Sequence, residues 1–204
     1  MAILDLRMVD PELWAEATQA FTEGDAGKLM VYAENHNALA LVFDNLRALK
    51  DRGIYEQALL DAWIGDRVNH SHWPDGVVAY LSQQADPAKL RAAGDPVPGC
   101  PIVVYRGISG HGRSRRKLGW SWTDSLDVAC WFALRLRLAN PAILTATVEP
   151  REILACMNDR QEREFVVRPQ TCTRLRIDVA EMERREAKRS LPVRSRTAGL
   201  IAWR

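Results

Sequence analysis

Residues 162–169 read Glu162-Arg163-Glu164-Phe165-Val166-Val167-Arg168-Pro169, with two carboxylates one residue apart at the start of an apolar run. If this run is a β-strand, its side chains alternate between the two faces, so Glu162 and Glu164 share one side and Arg163 points away. Both carboxylates would then face one point in space. Such a pair occurs at solvated strand edges, as ligands of a hard cation, and as groups that act on a bound sugar.

Two upstream segments favour the last of these uses. Residues 102–107, Ile-Val-Val-Tyr-Arg-Gly, form a β-rich run that ends in an arginine and a glycine. Residues 118–123, Leu-Gly-Trp-Ser-Trp-Thr, predict a short strand in which Ser121 and Thr123 lie on one face. Arginine, Ser-x-Thr and Glu-x-Glu therefore follow one another on separate predicted strands, and this order makes the set more specific than its members.

In that order the motifs resemble the R-S-E class of mono-ADP-ribosyltransferases, the clade that includes cholera-toxin-like and clostridial toxins. The resemblance covers residues 101–169, and residues 128–133, Val-Ala-Cys-Trp-Phe-Ala, look like the helix that follows the Ser-x-Thr strand in this family. It implies a mixed β-sandwich ADP-ribosyltransferase core, and together with the helices that apolar spacing predicts in residues 1–98 the expected fold is α+β, with an N-terminal helical bundle followed by that core. It also implies an enzyme whose substrate is NAD and which needs no metal.

The resemblance implies a role for each carboxylate. Glu164 would bond the ribose 2′-hydroxyl and stabilise the positive charge that builds on the anomeric carbon as nicotinamide leaves, a transition state close to that of glycoside hydrolysis. Glu162 would orient or deprotonate the acceptor nucleophile.

Four further residues would bind NAD. Arg106 would bind phosphate oxygens through its planar guanidinium, and Gly107 would let the backbone approach the nicotinamide amide. Ser121 would hold Glu164 by a hydrogen bond, and Thr123 would lie by the nicotinamide ribose. Each also has an ordinary explanation, as a strand-end ion pair or a β-surface residue.

The loop of residues 108–117 is rich in glycine and cations. A solvated hairpin explains this composition, and so does contact with phosphate or with a nucleic-acid acceptor beside the site. The acceptor-binding candidates, besides Glu162, are Arg113, Arg115, Arg116 and Lys117.

Length and composition predict a globular protein, since the chain has 204 residues of which 47% are hydrophobic. No apolar run reaches about 18 residues, so a membrane span is not expected. Residues 1–7 lack the basic and apolar regions of a signal peptide, which predicts a cytoplasmic protein.

Charge divides the chain. Residues 1–99 carry 8 Lys+Arg against 15 Asp+Glu, and the remainder carries 20 against 11. The basic half suits an anion such as NAD, a nucleic acid or an acidic protein surface, and equally docking on the acidic half of the same chain. Residues 95–99, Asp-Pro-Val-Pro-Gly, read as a rigid linker, which predicts an acidic helical domain at 1–98 and a catalytic domain at 99–204.

Apolar spacing and capping residues predict the elements. The first half reads as four or five helices, with Asp10-Pro11 and Asp86-Pro87 as starts and one stripe running through residues 29–50. In the second half we expect a helix from Ser125 to Leu138 with Asp124 or Ser125 as its N-cap. Strands are expected at 142–148 and 175–177, and a charged helix at 178–189.

Metal-ligand patterns are weak. His70 and His72 lie close together but lack matching partners, so a loop that caps the next helix is the better explanation. The cysteines have no CxxC spacing, and Cys130 and Cys156 read as core residues.

Alternatives from other classes stay open. The same site could hydrolyse NAD without an acceptor, the domain could be a non-catalytic module that binds NAD or nucleic acid, or the chain could be an interaction protein. For a transferase, the acceptor is a protein side chain, with arginine as one candidate, or a nucleic-acid base. Stand-alone transferases of this kind act as toxins or in phage–host conflict, which adds a cognate antitoxin or regulator to the candidate partners.

Overall fold

The computed structural model describes residues 3–33, 37–65, 75–112, 119–158 and 162–188. The chain forms two compact units, one made of Met1–Cys100 with Pro150–Cys156 and the other of Pro101–Glu149 with Met157–Arg204. The domain boundary predicted at residues 95–99 would put residues 150–156 in the second domain. They belong to the first unit because Arg91 donates to the carbonyls of Ile153 at 2.9 Å and of Arg151 at 2.7 Å.

The first unit is helical. Its described residues hold seven α-helices where the sequence suggested four or five, and no helix in the described part of the chain is long and apolar enough to cross a membrane. The helices are α1 (Trp14–Glu23), α2 (Ala26–Tyr32), α3 (Ala38–Asp44), α4 (Leu46–Arg52), α5 (Tyr55–Gly65), α6 (Asp75–Gln84) and α7 (Pro87–Ala93).

Local capping chemistry explains where several of these helices begin. Asp86 accepts from the backbone N–H groups of Ala88 and Lys89, and Pro87 occupies the first position of α7. Asp10 caps the single 3-10 turn that precedes α1. These starts are confirmed.

Residues 29–50 hold parts of three helices, α2, α3 and α4, and Asn45 explains the second of the two breaks between them. The apolar stripe predicted through residues 29–50 is interrupted there, since Asn45 ends α3 and starts α4 with φ −105° and ψ 16°. Its side-chain nitrogen donates to the carbonyls of Leu41 and Asp5, and its oxygen accepts from the Asp5 backbone N–H at 2.6 Å. Asn45 is only 2% exposed, so a buried polar side chain that pairs with distant backbone breaks the stripe.

The described residues hold six β-strands: β1 (Ile102–Ile108), β2 (Ser121–Thr123), β3 (Ala142–Val148), β4 (Ala155–Met157), β5 (Glu164–Val166) and β6 (Thr173–Arg174). The predicted α+β class is confirmed, but the described strands form one antiparallel sheet where the sequence suggested a mixed sandwich. Their order in the sheet is β4-β5-β2-β1-β3-β6.

Two helices accompany this sheet, α8 (Leu126–Leu134) and α9 (Val179–Lys188). Their buried faces meet one face of the sheet in a core of Ala129, Cys130, Ala133, Ile143 and Met182. Helix α8 ends at Leu134, before the predicted Leu138, and Leu136 is exposed. The predicted strand at residues 175–177 is instead the pair Thr173–Arg174.

Candidate functional site

The three motif-bearing strands are neighbours in the sheet, in the order β5-β2-β1. Thr123 of β2 is the register partner both of Tyr105 on β1 and of Glu164 on β5. Side chains at paired positions lie on the same face of an antiparallel sheet. Tyr105, Thr123 and Glu164 therefore form one row across three strands.

Glu164 is held at a buried position in this row. It is 6% exposed, and Thr123 beside it is 4% exposed. A carboxylate is rarely removed from water to this degree without a structural or chemical reason. Here it comes from a three-residue strand whose other members, Phe165 and Val166, are apolar and buried.

Thr123 links this strand to its surroundings. Its hydroxyl donates to the Glu162 carbonyl at 2.8 Å and accepts from the Ser125 backbone N–H at 3.1 Å. A single buried side chain thus ties the segment before β5 to the start of α8. The register places Thr123 opposite Glu164, whereas Ser121 lies opposite Val166. The predicted hydrogen bond from Ser121 to Glu164 stays a prediction.

Arg106 lies on the next strand. Because side chains alternate along β1, it belongs to the face opposite to Tyr105, and its guanidinium Nη1 donates to the Ser121 carbonyl at 2.6 Å. The register pairing of β1 with β2 is confined to Tyr105 and Thr123, so a side chain adds a bridge between the strands at this point. Arg106 and Ser121 are thus brought together, while β2 separates Arg106 from Glu164.

Gly119 makes room for this arginine. A Cβ atom built on Gly119 would overlap the Arg106 guanidinium, with Nη1 at 2.6 Å. The glycine just before β2 therefore lets the guanidinium lie against the backbone. No family motif includes Gly119, and the signal for its role is its position two residues before Ser121 of Ser-x-Thr.

Gly107 lies directly against the backbone of helix α8. A Cβ there would overlap the Ala129 carbonyl oxygen of α8 and lie 2.5 Å from the Ala133 nitrogen. Its contact is thus with the backbone of α8, which packs directly on β1. Binding of the nicotinamide amide by Gly107 stays a prediction.

Glu162 does not lie where the alternation of a continuous strand would place it. β5 begins at Glu164, and Arg163 has φ +46°, in the left-handed region that L residues seldom adopt. Extended alternation therefore stops between the two carboxylates, and the expectation that both lie on one strand face is wrong. Glu162 is half-buried just outside the strand.

Asp124 is the site residue that sequence reasoning missed. Its Oδ2 atom lies 2.5 Å from Nη2 of Arg163, and its Oδ1 atom is buried. Asp124 and Ser125 were both predicted as possible N-caps of α8. Ser125 is the N-cap, and its hydroxyl accepts from the Val128 N–H at 3.3 Å. Asp124 is thereby left to pair across the turn.

The cationic candidates Arg113, Arg115, Arg116 and Lys117 lie outside the described residues, as do His70 and His72. Within the described ranges, no group of three or more His, Cys, Asp or Glu residues is placed to hold a metal ion. The expectation of metal-free chemistry stays a prediction.

Comparisons with known proteins find no relative: no family model, no curated protein and no solved structure matches the chain. The family resemblance therefore rests on the motifs and on the strands that carry them.

Proposed function

We propose that this protein is a mono-ADP-ribosyltransferase that cleaves NAD and transfers ADP-ribose to a macromolecular acceptor. The observation that supports it is the adjacency of β5, β2 and β1, whose motifs are separated in the sequence by up to 58 residues, from Arg106 to Glu164. A cytoplasmic location and a role in toxin or phage–host conflict belong to the same proposal.

The reaction breaks the bond between the nicotinamide nitrogen and C1′ of the ribose, and the bonding electrons leave with nicotinamide. C1′ becomes an oxocarbenium-like centre, which a fixed carboxylate stabilises. Glu164 is the candidate for this role because it is buried and fixed by strand pairing. The acceptor nucleophile then bonds to C1′, and its proton passes to Glu162 or to water.

Arg106 would act at a distance from this centre. Adjacent strands lie about 4.8 Å apart, so β1 and β5 are about 10 Å apart, and by side-chain alternation Arg106 projects from the sheet face opposite to that of Glu164. For one dinucleotide to meet both groups, the Arg106 side chain has to extend past the start of β2, where it already reaches Gly119 and the Ser121 carbonyl. The bond from Nη1 to the Ser121 carbonyl fixes the guanidinium plane, which favours directed contacts to phosphate oxygens.

The test compares wild type with Glu164→Gln and with Glu183→Gln, an exposed glutamate on α9 that serves as the matched control. Each protein is incubated with NAD labelled in its adenylate part and with cell extract, and both nicotinamide release and label transfer are measured. Glu164→Gln should lower turnover by about 100-fold or more, while Glu183→Gln should stay close to wild type. Circular dichroism and thermal unfolding show whether the variants are folded.

The acceptor is read from the same samples. Label lost on protease treatment indicates a protein acceptor, and label lost on nuclease treatment indicates a nucleic acid. Nicotinamide released without any labelled acceptor would indicate a glycohydrolase instead. If folded wild type neither releases nicotinamide nor transfers label, the enzyme proposal is wrong, and NAD binding by calorimetry then distinguishes a binding module from an interaction protein.

A further inference from the structure

Two contacts hold the segment that leads into β5. The Asp124 carboxylate pairs with the Arg163 guanidinium at 2.5 Å, and the Thr123 hydroxyl donates to the Glu162 carbonyl at 2.8 Å. Both holding groups come from consecutive residues at the end of β2. The residues they hold are also consecutive, and they immediately precede Glu164.

The held backbone is strained. Arg163 has φ +46°, a conformation that costs free energy for any residue with a Cβ. The surroundings must stabilise such a residue for it to persist. The partner of Arg163 is placed to do so: the Asp124 side chain is 20% exposed, so the carboxylate end of the pair is partly shielded, whereas the Arg163 side chain is 63% exposed and is screened by water.

We propose that Asp124 is a positioning residue, which acts through Arg163 to hold the bend that takes Glu162 out of the β5 alternation. This inference rests on the proposed function and deepens it. Glu164 is fixed independently, by its strand pairing with Thr123. Loss of the ion pair therefore affects the Glu162 side of the site, where the acceptor would be deprotonated, more than the Glu164 side, where NAD is cleaved.

The clearest readout is the ratio of ADP-ribose transfer to NAD hydrolysis. Asp124→Asn and Arg163→Gln should each lower transfer by about 10-fold, while hydrolysis without acceptor and the KM for NAD change by less than about 2-fold. Arg184→Gln is the matched control, since Arg184 pairs with Glu181 on the surface of α9.

Arg163→Gly separates the ion pair from the bend. Glycine adopts positive φ without the Cβ penalty, so this variant loses the ion pair and keeps the backbone conformation. It should retain more transfer activity than Arg163→Gln, and adding Asp124→Asn to it should cause little further loss. If the ion pair has only a structural role, Arg163→Gln and Arg163→Gly would both change thermal stability and would not differ in transfer activity.

Hydrogen exchange of the peptide covering residues 162–167 tests the positioning without any turnover. The proposal predicts faster exchange there in Asp124→Asn and Arg163→Gln than in wild type and in Arg184→Gln. Unchanged exchange, or equal losses of transfer and hydrolysis, would overturn it. Wild type that exchanges as expected but never turns over NAD would instead count against the proposed function.

Discussion

The absence of a Cβ atom at Gly119 lets the Arg106 guanidinium lie against the backbone. In Gly119→Ala the new Cβ would displace the Arg106 guanidinium, which is the end of a flexible side chain and can move without unfolding the strand. NAD affinity should therefore fall by about 10-fold, with little change in the free energy of unfolding. Calorimetric titration with NAD, beside chemical denaturation, measures both.

Gly99→Ala is the control for this substitution, because a Cβ at Gly99 meets nothing within 4 Å. Equal NAD affinity in Gly119→Ala and wild type would show that Arg106 is not needed where the structure holds it.

The Thr123 hydroxyl forms two hydrogen bonds, which connect the segment before β5 to the start of α8. Thr123→Val keeps the shape but removes the hydroxyl, which leaves the Glu162 carbonyl and the Ser125 N–H without their partner. The free energy of unfolding should fall by about 1–3 kcal/mol. Thr147→Val, at an exposed position of β3, should change it by less than about 0.5 kcal/mol. Similar values for the two valine variants in urea denaturation would contradict this account.

At the scale of elements, the packing of α8 on β1 depends on Gly107. In Gly107→Ala the added methyl group would meet backbone atoms of Ala129 and Ala133, which cannot rotate away as a side chain can. Helix α8 must shift, so we expect a loss of about 3 kcal/mol in the free energy of unfolding. Denaturant titration against Gly99→Ala measures it, and a loss below about 0.5 kcal/mol would mean that α8 is not seated as described.

Elements also differ in how well the sequence predicts them. The start of α7 follows from Asp86 and Pro87, since capping involves only residues a few positions apart. The break between α3 and α4 does not, because Asn45 pairs with the backbone of Asp5, 40 positions away. A local pattern holds no information about such a partner.

At the scale of the whole molecule, the cysteines report on each unit separately. Cys100 is exposed, Cys156 is buried in the first unit, and Cys130 is buried in the second. Burial also raises the pKa of the Cys130 thiol from 9.0 to about 11, so little reactive thiolate is present at pH 8. With iodoacetamide under native conditions, Cys100 should react at least about 100-fold faster than either buried thiol.

Mass spectrometry of the alkylated peptides gives the three rates. The buried thiols should become reactive only at denaturant concentrations that unfold their own unit. Alkylation of Cys130 at the rate of Cys100 in native buffer would be inconsistent with the core around α8 and α9.

The α+β class, the caps at Asp10 and Asp86 and several of the elements could be predicted from the sequence, because apolar period and capping act over a few residues. The sequence also indicated Arg106, Ser121, Thr123 and Glu164 as candidate site residues by their motifs. Three features required the folded structure: Thr123 and Glu164 are register partners, Arg163 bends the chain toward Asp124, and residues 150–156 join the first unit. Those features depend on strand register and on contacts between residues far apart in the chain. A short local pattern specifies neither of them.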